Sequence, residues 1–318
     1  MPKINIKTKY KDLLPAVILI IVLVIAGQIL QPGFIKANNL VNILCRASVL
    51  SVACIGQVYV MVSGNAGIDM SIGSVMSCAA LLGPALSGGE NLGLIRSIII
   101  IGIAAFAIGI INGVCIQKFT LPSLVVTLCM GQIIDGLTIG LTRGAPGTSI
   151  PDALLRLGVP FIWKIRLATF VAVILIVIMY IILNKTNYGK SLFLVGCNRN
   201  AAKLSGINVD MKVITAYGIS SFMAALAGYM LVGYVGSAQL YMADEYTMLS
   251  IAAVVIGGTK LSGGKGNLVG GALGAILLFL LTSILLAVGL NDGARIAIEG
   301  TVLLLIVLTN CREKKLRA

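Results

Sequence analysis

Histidine is absent from all 318 residues. Its absence removes the HExxH zinc-protease motif and every histidine-based triad or acid/base pair. Charge is scarce as well, at 11% against roughly 25% in soluble domains, while 58% of the residues are hydrophobic and the mean hydropathy is +1.03. A water-soluble globule has no means of hiding so much apolar surface, so the solvent for most of this chain is lipid. No pair of cysteines has CxxC spacing. The seven (Cys45, Cys54, Cys78, Cys115, Cys129, Cys197 and Cys311) are scattered, most of them inside apolar runs where a thiol packs as a small hydrophobe. A phosphate loop is missing too. In "GGTKLSGGKGN" (Gly257 to Asn267), the Gly264-Lys265 pair has Thr259 where the Walker pattern needs glycine, and Gly266 where it needs a hydroxyl residue. This stretch reads as a tight turn, its glycines supplying positive φ and its lysines holding it on one side of a membrane. No segment is long enough for a second domain, because the longest polar one, 185–211, is too short to fold alone. The chain is expected to be one membrane domain spanning 1–318.

Apolar runs dominate what is present. About 20 apolar residues cross a bilayer as a helix, and by that measure ten spans are expected: 13–31, 43–62, 67–86, 95–117, 122–141, 166–184, 212–236, 248–259, 268–290 and 295–310. The first follows Lys3, Lys7, Lys9 and Lys11 and imitates a signal peptide. It is longer than a signal core and many spans follow it, so it is read as retained. A net charge of +13 raises the question of nucleic acid, but the basic residues are split among short segments and form no continuous face. They report orientation instead. With the N-terminus inside, the head 1–12, the neighbourhood of Lys118, the 185–211 loop (Lys185, Lys190, Arg199, Lys203), the Lys260/Lys265 turn and the tail 311–318 are all cytoplasmic. Asp244 and Glu245 fall outside. The fit is poorest at Arg143, Arg156, Lys164 and Arg166, which the same map places outside.

Glycine is abundant, with 37 residues, and Gly266, Gly270 and Gly274 have the small-xxx-small spacing that lets helices approach backbone to backbone. "GIDMSIG" (Gly67 to Gly73) and "GTKLSGG" (Gly258 to Gly264) echo one another, a match for which coincidence and duplication are equally good accounts.

Two stretches carry the candidate chemistry. In "SGNAGIDMSIGSV" (63–75), Asp69 stands among Gly64, Gly67, Gly73, Ser63, Ser71 and Ser74. An ionised carboxylate at membrane depth costs several kcal/mol. One reading is an interrupted helix whose freed backbone lines a polar passage; the other is an aspartate capping the start of the third span. Gln57, Asn112, Gln132 and Asp135 also fall inside spans. They face either a pathway or a neighbouring helix, and Asp135 has no cation near it in sequence. In the 185–211 loop, Asn198 or Asn200 can cap a short helix over "RNAAKLS", and Gly206 stands where a left-handed residue would end it. This is either a docking element for a soluble partner or a solvated amphipathic loop.

Three stretches together resemble the permease subunits of bacterial ABC importers for ribose and other simple sugars: "GIDMSIGSVMS" (67–77), "YGKSLFLVGCNRNAAKLSGI" (188–207) and "SIAAVVIGGTKLSGGKGNLVGGALGAILL" (250–278). The resemblance implies an all-α polytopic protein of the type II, vitamin B12-like architecture, located in the bacterial plasma membrane with both termini cytoplasmic. It implies a second permease subunit, identical or related, a cytoplasmic ATPase that alone uses ATP, an extracytoplasmic solute-binding protein, and no cofactor or enzymatic activity in this chain. By the same analogy Arg199, Asn200, Ala201, Ala202, Lys203, Leu204, Ser205 and Gly206 form the coupling segment. Gly67, Asp69, Ser71 and Gly73, with Gln57, Asn112 and Asp135, lie along the translocation path. The chain departs from the family at Asn65-Ala66, where further glycine is common. Ribose, another aldose, a nucleoside or a sugar-like signal would all fit as solute. The rival from another class is a self-contained secondary transporter with Asp69 or Asp135 as its proton or sodium site. An intramembrane enzyme is a poor third, with no histidine and no carboxylates paired closely in sequence.

Overall fold

The computed structural model describes residues 14–144 and 149–311. The lysine-rich head and the basic tail beyond Cys311, both assigned above to the cytoplasm, lie outside the described residues. Each apolar run forms a helix: α1 (Leu14–Leu30), α2 (Ala37–Val62), α3 (Ile72–Ser87), α4 (Asn91–Lys118) and α5 (Ser123–Thr142) precede a short α6 (Asp152–Leu155). A 3-10 turn (Arg156–Gly158) and a hairpin of β1 (Pro160–Ile162) and β2 (Ile165–Arg166) follow. Then come α7 (Leu167–Lys185), α8 (Asn187–Cys197), α9 (Arg199–Leu204), α10 (Val209–Val235), α11 (Asp244–Ile256), α12 (Leu268–Ala287) and α13 (Asp292–Cys311). Six of these, α2, α4, α5, α7, α10 and α12, are long and apolar enough to cross a membrane, and α1 and α3 are shorter apolar helices.

Several boundaries differ from the hydropathy reading, for local reasons. The third span was expected from residue 67, yet helix begins only at Ile72. Three consecutive left-handed residues, Gly64 (φ 81°), Asn65 (φ 60°) and Ala66 (φ 50°), turn the chain away, and 67–70 stays non-helical. The eighth was expected over 248–259 but forms from Asp244 to Ile256. Asp244 and Glu245 lower its hydropathy, yet they favour the positive end of a helix dipole in its first turn. The second starts six residues early, at Ala37 rather than 43, through a polar turn that includes Asn38, Asn39 and Asn42.

Helices α2 and α10 form the centre. Of the most apolar stretch of α2, 89% is buried within the subunit, against 22% for α5 and for α7, which therefore turn most of their surface to lipid or to a partner. Small residues make the centre tight. A Cβ on Gly56 of α2 would lie 2.6 Å from Ser220 Cα of α10, and one on Gly113 of α4 would lie 2.6 Å from Ile214 Cα. The expected stripe on α12 is used in the same way, with Gly270 against the Gly257 backbone and Gly274 against the Ala253 backbone. The short helices α3 and α11 meet near their N-terminal ends. Gly73 N donates to Thr247 Oγ1 (2.9 Å), and Ala243 N donates to Ser77 Oγ (3.0 Å).

Candidate functional site

Between α2 and α3 the non-helical segment 66–70 lies along α5, and its backbone groups, which have no ladder to join, are satisfied by two hydroxyls one helical turn apart. Ser123 Oγ donates to Ala66 O (2.9 Å) and accepts from Ile68 N (3.4 Å). Thr127 Oγ1 accepts from Met70 N (2.9 Å), with Ile68 O within its reach at 3.3 Å. Non-helical backbone is tolerated at such depth only where protein satisfies it. The Ser123/Thr127 pair was not singled out above. Its i, i+4 spacing on one face of an apolar helix is the signal that was there to read.

Asp69 is fully buried at the end of this segment. Oδ1 accepts from Ser71 N (3.0 Å) and Ser71 Oγ (2.6 Å), and Oδ2 accepts from Ser220 Oγ of α10 (2.7 Å). The bond to Ser71 N is an Asx-type turn leading into α3, and Ser71 itself is the residue that starts the helix. Asp69 thus fixes the entry to the helix from one turn outside it. Three acceptor bonds, together with the positive end of α3, stand in for a counter-ion. Asn112 Nδ2 of α4 extends the cluster by donating to Ser71 Oγ (3.3 Å). Asp69, Ser71 and Asn112 are therefore joined directly, and Gly73 lies two residues along, packed on α11. Asp135 is separate and half-buried on α5, accepting from Ser74 Oγ (3.0 Å). Gln57 adjoins Gly56 at the contact with Ser220. Gln57 has both amide atoms buried without a hydrogen-bond partner among the described residues, as are Asn112 Oδ1, Tyr217 Oη and Ser221 Oγ. These atoms lie on α2, α4 and α10, three helices that pack around the Asp69 loop. Among the described residues no three His, Cys, Asp or Glu side chains converge to hold a metal ion.

The left-handed pair at 65–66 is exposed. A left-handed alanine costs about 1–2 kcal/mol, partly offset by the greater chain entropy of glycine in the unfolded state. Ala66→Gly is therefore expected to raise the melting temperature in detergent slightly, by up to about 1 kcal/mol of stability. A fall in melting temperature would show that residue 66 is not left-handed.

At one end of the bundle sits α9. Asn198 Oδ1 caps it by accepting from Ala201 N (3.0 Å), so of the two asparagines considered, Asn198 is the cap. Gly206 (φ 77°) closes it in a Schellman arrangement, with Gly206 N bonded to Lys203 O and Ile207 N to Ala202 O, both at 3.0 Å. Ala202 points inward onto a cluster of Val60, Ile116, Val126, Val209, Val213 and Tyr217. Arg199 is half-buried and donates to Gln117 Oε1 (3.2 Å). Asn200, Ala201, Lys203, Leu204 and Ser205 face outward, and Leu204 is 91% exposed.

Glycines join α9 to the Asp69 loop. A Cβ on Gly196, three residues before α9, would run into the Val62 carbonyl and the Gly264 amide. One on Gly64 would lie 2.9 Å from Gly196 Cα, and one on Gly263 would strike Gly64 Cα. Gly264 N donates to Val62 O (3.1 Å), and Cys197 Sγ donates to Gly264 O (3.7 Å). The turn dismissed above as a phosphate loop thus has a structural use: with Gly258, Gly263 and Gly264 at positive φ, it inserts between the end of α2 and the approach to α9.

A polytopic helical bundle with a capped, outward-facing helix bolted to a buried polar loop is an architecture that suits a membrane permease. Residues 39–309 match the family described as the branched-chain amino acid transport system/permease component, and the chain belongs to that family. It is 31% identical over 303 residues to the ribose import permease protein of Escherichia coli (strain K12), covering 94% of each chain. It is also 31% identical over 296 residues to the ribose import permease protein of Bacillus subtilis (strain 168), covering 92% of this chain and 90% of that one. The autoinducer 2 import system permease protein of Yersinia enterocolitica is 31% identical over 285 residues, or 89% of this chain and 78% of that one. No solved structure matches the chain.

Proposed function

We propose that this chain is the membrane-spanning subunit of an ATP-driven importer that carries a monosaccharide or a similar small polar solute by alternating access. Relatives named for ribose and autoinducer 2 import, matched over nearly the whole chain, support that solute class. ATP would be hydrolysed by a separate cytoplasmic ATPase, the solute would be delivered by an extracytoplasmic binding protein, and a second permease would complete the path. Ten helices in the order of the ten apolar runs support a type II, vitamin B12-like subunit. The basic loops support a cytoplasmic location for both termini in a bacterial inner membrane.

The observation that carries this reading is α9, a helix of only six residues that is capped at both ends and held on a hydrophobic seat while exposing Leu204 to nothing in its own subunit. Closure of the ATPase would press on α9. Ala202 and the glycine junction would pass the displacement to 64–70, and the helices around Asp69, sealed in this conformation, would part. The unpartnered polar atoms of Gln57, Asn112, Tyr217 and Ser221 would then find partners in water or in the hydroxyls of a solute.

Ala201→Glu and Leu204→Glu place charge on the outer face of α9 without touching its caps or its seat. They are expected to abolish co-purification with the ATPase while leaving the amount of inserted protein unchanged. Undiminished co-purification would remove α9 from the docking role. Uptake at full rate by vesicles holding this subunit without any ATPase would overturn the proposal as a whole.

A further inference from the structure

The β1–β2 hairpin is built to present an apolar tip, and its base is rigidly held. Arg166 Nη2 donates to Asn42 Oδ1 (2.7 Å) on α2, and its guanidinium lies 4.9 Å from the centre of the Tyr234 ring on α10. Phe161 meets Phe170 edge-on at 5.7 Å in the first turn of α7, and a Cβ on Gly158 would lie 3.0 Å from Gly233 O. From that base the chain turns at Trp163 and Lys164. Trp163, the sole tryptophan, is 95% exposed, and Val159, Phe161 and Ile162 are 53–63% exposed. Trp163 also holds a left-handed backbone conformation (φ 56°), a position where glycine or asparagine costs less. Neither packing nor the needs of the turn account for an indole there.

Position accounts for it. Arg166 is the residue immediately before α7, so at about 3.3 Å per residue Trp163 lies within roughly 15 Å of the start of a membrane span. That span is only 22% buried within the subunit, and it is the helix on which the hairpin rests. We propose that the hairpin is an interfacial anchor, its Trp163 tip seated among lipid headgroups at the mouth of α7, with Lys164 beside it on the lipid phosphates. An amphipathic ring next to a basic residue at the edge of the hydrocarbon is the composition that a bilayer interface selects. The anchor also gives a use to basic residues that the charge map placed on the wrong side. Arg166 is taken up by Asn42 and Tyr234, and Lys164 is placed at the headgroups. The hairpin would set the depth and tilt of α7, and through Arg166 and Tyr234 the position of that end of α10.

Because the chain has one tryptophan, the native protein carries its own probe. The full chain is reconstituted in vesicles of phosphatidylcholine and phosphatidylglycerol, some with lipids brominated high on the acyl chain and some with lipids brominated near its end. Tryptophan emission is expected to be shifted to shorter wavelength than that of a hydrated indole. It should be quenched more strongly by the shallow bromines than by the deep ones, and only weakly by aqueous iodide. Water-like emission that iodide quenches and neither lipid affects would overturn the proposal. So would emission shielded from both lipid and water, or emission that responds to an added solute-binding protein and not to bromine, because either result would place the tip against protein.

Discussion

Gly196→Ala is expected to reduce solute uptake by about ten-fold or more in the assembled transporter and to lower its melting temperature. Within a helix, glycine to alanine is ordinarily stabilising by roughly 0.5–1 kcal/mol. Here the added methyl has nowhere to go, because what it meets is the Val62 carbonyl and the Gly264 backbone, and neither can rotate aside as a side chain would. Overpacking of this kind costs typically 1–3 kcal/mol. Parting the two segments would also strain the Gly264 N to Val62 O bond, whose loss leaves the carbonyl of buried Val62 unpaired at about 1–3 kcal/mol. Since about 1.4 kcal/mol on a transition state is already ten-fold in rate, a modest wedge at this point is enough. Gly140→Ala in α5, where an added Cβ meets nothing within 4 Å, is the matched control and should leave stability equal or higher. Uptake and melting temperature unchanged in Gly196→Ala would mean that the three-way junction is looser than described and would remove it from the proposed route between α9 and the loop.

The second large effect belongs to Asp69, where two substitutions separate shape from charge. Asp69→Ala strands Ser71 N and Ser220 Oγ in a buried place and takes the acceptor from the Ser71 hydroxyl proton, leaving Ser71 Oγ only its bond from Asn112. At about 1–3 kcal/mol for each unpaired group, stability is expected to fall by several kcal/mol and uptake to be lost with it. Asp69→Asn keeps the outline. Its carbonyl accepts from Ser71, and Ser220 rotates to accept from the new amide, because a hydroxyl both donates and accepts. The asparagine protein is therefore expected to fold, to assemble with its ATPase and to retain part of its ATP-driven uptake, with no dependence on sodium or a proton gradient before or after the change. Uptake that depends on an ion in the parent and loses that dependence in Asp69→Asn would instead identify a secondary transporter with Asp69 as its ion site.

Much of the architecture was legible because its causes are local. Each apolar run coincides with a helix, and the extent of α9 was readable from Asn198 and Gly206, a cap and a left-handed stop that act within a few residues of themselves. The start of α3 was not, since Gly67 to Ser71 pass for helix by composition, whereas the backbone of Ala66, Ile68 and Met70 is held out of helix by Ser123 and Thr127, more than 50 residues away. The same distance hid the partners of Asp69. Ser220 is 151 residues along the chain, inside a long apolar helix where a serine carries no visible address. The hairpin was missed for a different reason. Strands of three and two residues have too little alternation to register, and the Trp163 turn lacks the glycine or asparagine that usually announces one. What the sequence did offer there was an inconsistency, the cluster of basic residues on the acidic side of the charge map.

The fastenings of the Asp69 loop are almost all hydroxyls: Ser71, Ser123, Thr127 and Ser220 on the loop and its neighbours, with Thr247 joining α3 to α11. A salt bridge or a bidentate amide pair has one good partner and must be broken outright before its helices can slide. A hydroxyl offers one proton and two lone pairs on a freely turning bond, so as one acceptor moves off it can take another, and a passing water can fill the interval. Such a joint has little friction. Under the proposed mechanism it would open and reclose on every cycle without crossing a high barrier, which would leave the work of each stroke for moving the solute.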